Sequence, residues 1–357
     1  MADVYNELRS FLDSIPNGFP ATENGTEIKI LKKIFNEEEA ALFMKLKLAF
    51  ETPEQIASRT GLELEYVKKM LPVMKNKGQL LGISKGEFSL YRIFPFVFGI
   101  YEFQGPLLDK ELAELSEEYM NTTMAEEFFS KDPPMMKSIP IGIEVKDDST
   151  IEPYESVAAL IEGSKAWSVR DCICKKEKAL IGKACDRPME VCLSFAPVPG
   201  VFDNDNTCRA ITKDEAYAIL KMSEELGLVH MTSNYKGGHF YICNCCKCCC
   251  GPLTKYIAVS KKAVAKSNYI AVVDENLCIS CEACLDRCQA NAIEVKDKAE
   301  ITDCIGCGLC VSTCPVDAIS LKRREKDDIP EVPANEREWL KIRAAERGMN
   351  DDYKKLL

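Results

Sequence analysis

The residues able to do chemistry in this 357-residue chain are its 19 cysteines, every one of them between Cys172 and Cys314. The count is odd and the N-terminus, MADVYNELRSFLDSIP, carries acidic residues where a signal peptide would be basic. Both features argue against a disulfide framework and for reduced thiolates that bind metal in a cytoplasmic setting. Eleven of the thiols form a dispersed set: Cys172, Cys174, Cys185, Cys192 and Cys208, then Cys243, Cys245, Cys246, Cys248, Cys249 and Cys250 in the run YICNCCKCCCG. The other eight form a repeat. NLCISCEACLDRCQANAIEV aligns with TDCIGCGLCVSTCPVDAISL at an offset of 26 residues, so Cys278, Cys281, Cys284 and Cys288 fall on Cys304, Cys307, Cys310 and Cys314.

The spacing C-x-x-C-x-x-C-x-x-x-C, present twice and followed by Pro315 in the second copy, resembles the bacterial two-cluster ferredoxin. The resemblance implies two 4Fe–4S clusters, each taking three thiolates from one motif and the fourth from the other. One cluster would use Cys278, Cys281, Cys284 and Cys314, and the second Cys304, Cys307, Cys310 and Cys288. Gln289 stands where the first motif would usually carry proline, which loosens one turn and removes no ligand. Zinc prefers two CxxC pairs and fits eight cysteines in this order poorly.

The dispersed set also calls for ligation, because so many exposed thiols would invite oxidation. In a strand, residues two apart share a face, so Cys172 with Cys174, and Cys243 with Cys245, are expected to point at common sites. At least one further 4Fe–4S cluster is expected. The first choice of ligands is Cys172, Cys174, Cys185 and Cys192, with Lys175, Lys176 and Lys183 available to offset its negative charge. The CNCCKCCC run, with Cys208, could hold another cluster or complete the first, and spacing does not choose between one and two additional clusters. Two cubanes take eight ligands, so some of the eleven cysteines are small buried apolar residues on either count. His230 and His239 border strands and read as structural. There is no GxGxxG or GxxxxGK[ST] loop and no Ser/His/Asp arrangement, so no catalytic residue is assigned.

The elements that must position these thiols suggest an α+β multidomain chain. Residues 1–100 read as helices followed by a small winged unit. Val4, Leu8, Phe11, Leu12 and Ile15 recur at helical spacing, and Asn36 with Glu39 predicts a capping box for a helix over 37–50. Thr52, Pro53 and Gln55 open a second helix, and LELEYVKKMLPVMKNKG forms a third, which Pro72 should kink or shorten. QLLGIS and FSLYRI, joined by Lys85-Gly86-Glu87, make a hairpin. Helix, helix, helix, hairpin resembles a winged helix. Residues 101–267 combine a helical linker with an α/β cysteine-rich domain. Its predicted strands are IPIGIEV (139–145), WSVRDCIC, LVHMTS and HFYICNC; its predicted helices are PYESVAALIEG and ITKDEAYAILKMSEELG, the latter capped by Thr212 and Glu215. Residues 268–322 are the ferredoxin-like domain, and 323–357 a charged linker with a last helix.

The net charge of −10 suits a soluble protein and argues against a dedicated nucleic-acid binder. No apolar run approaches the roughly 18 residues of a membrane span. CICK…C…C, then CNCCKCCC, then a ferredoxin pair is similar to iron–sulfur electron-transfer proteins of anaerobes that partner larger oxidoreductase complexes. That resemblance implies a non-catalytic electron-transfer subunit relaying single electrons between a redox partner and the ferredoxin pair. The alternative is an iron–sulfur redox-sensing winged-helix transcription regulator. Residues 41–92 carry nine basic and five acidic residues, a local charge of +4. Yet the third helix begins with Glu63 and Glu65 and has no arginine, so it is expected to dock a protein or dimerise the chain rather than read DNA. A third option is an enzyme with an open iron in the middle domain.

Overall fold

The computed structural model describes residues 3–86, 88–140 and 152–357. Asp3 caps α1 (Val4–Asp13), whose Leu8 and Leu12 are buried at the predicted helical spacing. After α2 (Thr26–Ile34), α3 (Glu37–Phe43) opens on the expected capping box between Asn36 and Glu39. The helix predicted over 37–50 stops at Phe43 because the chain beyond it pairs with distant backbone. Leu48 N–H donates to Leu356 O (2.7 Å), Lys47 O accepts from Ile93 N–H (2.8 Å), and Glu51 bridges Tyr91. α4 (Pro53–Thr60) has its Thr52–Gln55 box, and Gly61 ends it at a left-handed φ of 72°. α5 (Leu64–Asn76) runs through Pro72 instead of ending there. Its buried face of Val67, Met70, Leu71 and Met74 offsets the hydrogen bond that proline removes. β1 (Leu81–Lys85) and β2 (Phe88–Arg92) pair antiparallel as predicted; Glu87 of the turn lies outside the described residues.

α6 (Lys110–Asn121) and α7 (Thr123–Glu127) lead to β3 (Met136–Ser138). The strand expected over 139–145 lies, from 141 onward, outside the described residues. Next come α8 (Val157–Glu162), β4 (Ala166–Asp171), α9 (Ile173–Leu180), β5 (Glu190–Ala196), β6 (Arg209–Ile211) and α10 (Lys213–Glu225). β7 (Val229–Ser233), β8 (Tyr241–Cys245), α11 (Gly251–Ala258) and β9 (Val264–Ala265) complete this region. The strands make one seven-stranded sheet in the order β6-β4-β5-β8-β7-β3-β9. Every neighbouring pair is antiparallel except β3 with β9.

One strand assignment is corrected. WSVRDCIC is not extended to its end: β4 stops at Asp171, where its pairing with β5 shifts register, and Cys172 becomes the N-terminal cap of α9. Cys174 therefore lies in the first turn of a helix.

β10 (Tyr269–Val273), α12 (Ala283–Arg287), β11 (Ile293–Val295), β12 (Ala299–Ile301) and β13 (Ile319–Arg323) build the C-terminal unit, in which β10 pairs β13 and β11 pairs β12. One tie to the sheet is a buried ion pair. Lys137 Nζ of β3 lies 2.9 Å from Glu155 Oε1, and that oxygen also accepts from Asn268 N–H at 2.8 Å. α13 (Glu336–Glu346) then returns across the molecule. Its buried Trp339 donates to Pro134 O (3.0 Å) and its buried Arg343 to Phe128 O and Lys131 O, while Arg347 pairs Asp13 at 2.7 Å. The charged C-terminal stretch thus joins α1 to the approach to β3.

Candidate metal centres

The two halves of the cysteine repeat fold alike. Ser280 and Glu282 in the first motif take left-handed φ values of 57° and 62°, and Gly306 and Gly308, 26 positions on, take 73° and 82°. Asn291 and Asp317 repeat the correspondence at 50° and 51°. These turns curl the CxxCxxC backbone so that its thiols converge. At Gly306 a side chain is excluded outright, since a Cβ would stand 2.1 Å from Ser267 Oγ and 2.2 Å from Tyr269 O. Cys278, Cys281, Cys284 and Cys314 line one small cavity, and Cys288, Cys304, Cys307 and Cys310 line another. Each quartet takes its fourth thiol from the opposite motif. Backbone amides already point at the sulfurs: Ala292 N–H to Cys288 Sγ (3.2 Å), Gly306 N–H to Cys304 Sγ (3.3 Å) and Ala318 N–H to Cys314 Sγ (3.2 Å). Burial pushes the Cys307 thiol up to about 12 and Cys310 well above its ordinary value. A bound cation is what would hold such sulfurs as thiolates. Four-sulfur donor sets with inward amides fit 4Fe–4S groups.

The middle region sorts its thiols into two groups that cut across sequence order. One is a ring. Cys172 interacts with Cys174 and Cys192, Cys192 with Cys243, Cys243 with Cys245 and Cys245 with Cys250, and all six line one cavity. The strand alternation expected for Cys243 and Cys245 supplies one side of this ring, and the cap and first turn of α9 supply another. Hydrogen bonds between neighbours hold Cys172 below its ordinary value and Cys243 down to about 5, while they push Cys174, Cys192 and Cys245 up. Packed thiols behave this way when only some can be anionic at once. The ring borders a cavity of about 110 Å³ that reaches past the sulfurs to Phe94, Phe98, Glu102, Tyr241 and Trp339.

The second group is Cys185, Cys246, Cys248 and Cys249, whose sulfurs all lie within 4.8 Å of one another. Cys185 comes closest to Cys246, Cys248 and Cys249 rather than to Cys172, Cys174 and Cys192, although all of these except Cys248 pack in one buried cluster. It reaches the turn after β8. Cys208 joins neither group: it lies beside Ser168, Arg170 and Asp205. Of the three lysines expected to balance charge, only Lys175 is placed to do so. It is buried, its Nζ donates to Pro188 O (2.9 Å), and it draws down both Cys172 and Cys246. Lys176 is spent on Gly105 O (2.6 Å) and Lys183 on Glu117 (3.3 Å). His230 is a satisfied structural residue, its Nδ1 2.6 Å from Asn244 Oδ1 on the face of β8 opposite Cys243 and Cys245.

Sequence reasoning missed Glu102 and Arg170. Glu102 faces the large cavity and burial raises its carboxyl to about 8, while Gly99 N–H donates to it at 2.6 Å. Arg170 stacks 4.1 Å over the Phe103 ring. No local pattern marks either residue; a charged residue amid FPFVFGIYEF was the one available hint.

Residues 271–321 match the family model of the 4Fe-4S dicluster domain. No curated protein and no solved structure matches the chain. Residues 271–321 are thus a 4Fe–4S dicluster domain of ferredoxin type, set beside a second concentration of cysteines.

Proposed function

We propose that this chain is an electron-transfer subunit that relays single electrons between a redox partner enzyme and its ferredoxin-type cluster pair. The carrying observation is the contact between the two cysteine regions. The turn holding Cys246–Cys249 hydrogen-bonds to the ferredoxin motif at Cys288 and Gln289, so the thiol ring and the dicluster domain are neighbours. In this reading Cys278, Cys281, Cys284 and Cys314 hold one 4Fe–4S group, Cys304, Cys307, Cys310 and Cys288 hold a second, and four of the six ring thiols hold a third. Such groups, when bound, accept and release one electron at a time. The chain's own residues fix the sulfurs, supply amide donors and exclude water around the buried members.

Residues 1–100 serve in this proposal as the docking module. Three lysines of α5 and its end are engaged by carboxylates, and the apolar Val73 and Phe88 stand 42 % and 56 % exposed. Among the described residues no helix is long and apolar enough to cross a membrane. The test is anaerobic purification of the native protein with whatever oxidoreductase accompanies it. Three cubanes require about 12 Fe and 12 acid-labile sulfides per chain, and Cys307→Ala should stop electron exchange with the co-purified partner. A fully loaded protein holding steady at about 8 Fe would remove the third group. Unimpaired exchange in Cys307→Ala would remove the relay.

A second reading, a reducing site for a small apolar molecule, is favoured by one observation. The ring cavity has about 110 Å³ against about 20 Å³ for each ferredoxin cavity, and its outer wall is aromatic with the neutral carboxyl of Glu102 facing in. Glu102→Gln separates the two. It should leave partner electron exchange intact in a relay and abolish turnover in a reductase, where that group would donate a proton.

A further inference from the structure

The turn after β8 packs its thiols differently from the rest of the described residues. The N–H groups of Cys249 and Cys250 both donate to Cys246 O, at 3.3 and 3.0 Å, which curls Cys246, Cys248 and Cys249 toward one side. Cys185, from the segment between α9 and β5, closes the set. All four sulfurs lie within 4.8 Å of one another, and Cys248 Sγ stands 3.8 Å from Cys249 Sγ. Four thiolates on one tetrahedral ion, each at about 2.3 Å, stand about 3.8 Å apart. A cubane spreads its four thiolates over four separate irons, which holds them farther from one another. The ferredoxin quartets provide the internal standard. Among the described residues, the only thiols drawn together to within 4.8 Å as a group are Cys185, Cys246, Cys248 and Cys249; neither quartet of the dicluster domain is, and no three of the ring thiols are.

We propose that Cys185, Cys246, Cys248 and Cys249 bind a single divalent metal ion, zinc or ferrous iron, in a closed tetrahedral four-thiolate site that contains no inorganic sulfide. The charge suits it. Four thiolates with a divalent cation carry a net −2, and buried Lys175 beside Cys246 offsets part of that. With all four positions filled by protein the ion has no open coordination site, and its role is to hold the turn. What the turn carries makes that role specific. Cys245 and Cys250, which flank it, are members of the ring, and Lys247 within it bonds to Cys288 O and Asn291. One ion thereby sets two ring thiols and the junction with the dicluster domain. This accounts for the density of cysteine in CNCCKCCC: alternate parts of one short run serve two separate centres. The inference does not depend on the electron-relay reading.

Sulfide is the discriminating measurement, since cubanes hold iron and sulfide in equal number and a mononuclear site holds metal alone. In full-length protein purified anaerobically, total iron plus zinc should exceed acid-labile sulfide by about one per chain. Cys248→Ser, at the exposed edge of the site, should lose that one ion and no sulfide. Metal equal to sulfide in the intact protein, or a loss of about four irons and four sulfides from Cys248→Ser, overturns the proposal in favour of a further cubane. Should the variant fail to fold, X-ray absorption on the intact protein decides. A zinc edge with about four sulfurs near 2.3 Å and no metal neighbour supports the site. So does one iron in excess of sulfide with a mononuclear high-spin ferrous Mössbauer signal. Protein with neither contradicts it.

Discussion

Gln289 Oε1 accepts a hydrogen bond from the backbone N–H of Lys247 at 3.0 Å, while Lys247 Nζ reaches the carbonyl of Cys288 at 3.1 Å. The two residues clasp the cysteine-rich turn to the ferredoxin motif. Gln289 is buried and occupies the position where the resemblance led one to expect proline. A proline has no side-chain acceptor, so the departure from the ferredoxin pattern supplies one of the bonds of this junction.

Replacing Gln289 by Pro should therefore restore the ferredoxin-like motif and weaken the protein. The Lys247 N–H would lose its acceptor in a partly buried site, at a cost of about 1–3 kcal/mol. Iron content should stay within error of the parent, because no thiol is removed. Hydrogen exchange at Lys247 should speed up relative to the rest of the sheet. Exchange as slow as in the parent would mean the clasp contributes nothing.

The cysteine variants separate the centres. Cys281→Ala and Cys307→Ala each remove a thiol from one ferredoxin quartet and should each alter one of two interacting low-potential EPR signals. Cys174→Ala should spare both and eliminate a third signal, since Cys174 belongs to the ring. EPR spectra of Cys174→Ala identical to the parent at every potential would show that the ring binds no paramagnetic group.

The Lys137–Glu155 pair predicts a stability effect away from any thiol. The side chains are 1 % and 0 % exposed, and burial lowers the lysine's pKa although Glu155 opposes that shift. Glu155→Ala would leave a buried ammonium without its counter-charge and the Asn268 N–H without its acceptor, costing about 3–5 kcal/mol. The double change Lys137→Met, Glu155→Leu should recover part of this, not all, because Asn268 remains unpaired. Anaerobic urea denaturation of the loaded protein measures both. Equal midpoints for the parent and Glu155→Ala would show that this tie between sheet and dicluster domain is dispensable.

What was legible in the sequence was local. The boxes at Asn36/Glu39, Thr52/Gln55 and Thr212/Glu215 involve residues three apart, and each is formed. The 26-residue cysteine repeat reappears in backbone φ, down to Ser280/Gly306 and Glu282/Gly308. What failed was decided by distant partners. The helix predicted over 37–50 gave way to bonds with Ile93, Tyr91 and Leu356. Cys185 meets Cys246, Cys248 and Cys249 because the turn after β8 comes back to it, and WSVRDCIC divides between strand and helix where the pairing of β4 with β5 shifts register. Spacing can count thiols within one segment. It cannot show which segments a seven-stranded sheet will bring together.

The segment whose sequence resembles a winged helix should not bind DNA specifically, and the structure strengthens the reason. Of the lysines on or beside α5, Lys68 pairs with Glu54 (3.0 Å), Lys75 with Asp205 (3.4 Å) and Lys77 with Glu39 (2.5 Å). Lys75 in particular is turned toward the region after β5, so that end of the helix faces the protein rather than an open groove. A lysine engaged this way would have to break its pair to meet a phosphate, and phosphate contacts carry no sequence information in any case. The chain's net charge of −10 further opposes approach to a duplex. Binding should be no tighter than the non-specific range of about 10⁻⁴–10⁻⁶ M, alike across sequences and lost steeply with salt. Incubating the loaded protein with fragmented genomic DNA at near-physiological salt, and sequencing what is retained, checks this. One enriched palindromic site, bound in a redox-dependent way, would displace the electron carrier in favour of a redox-sensing regulator.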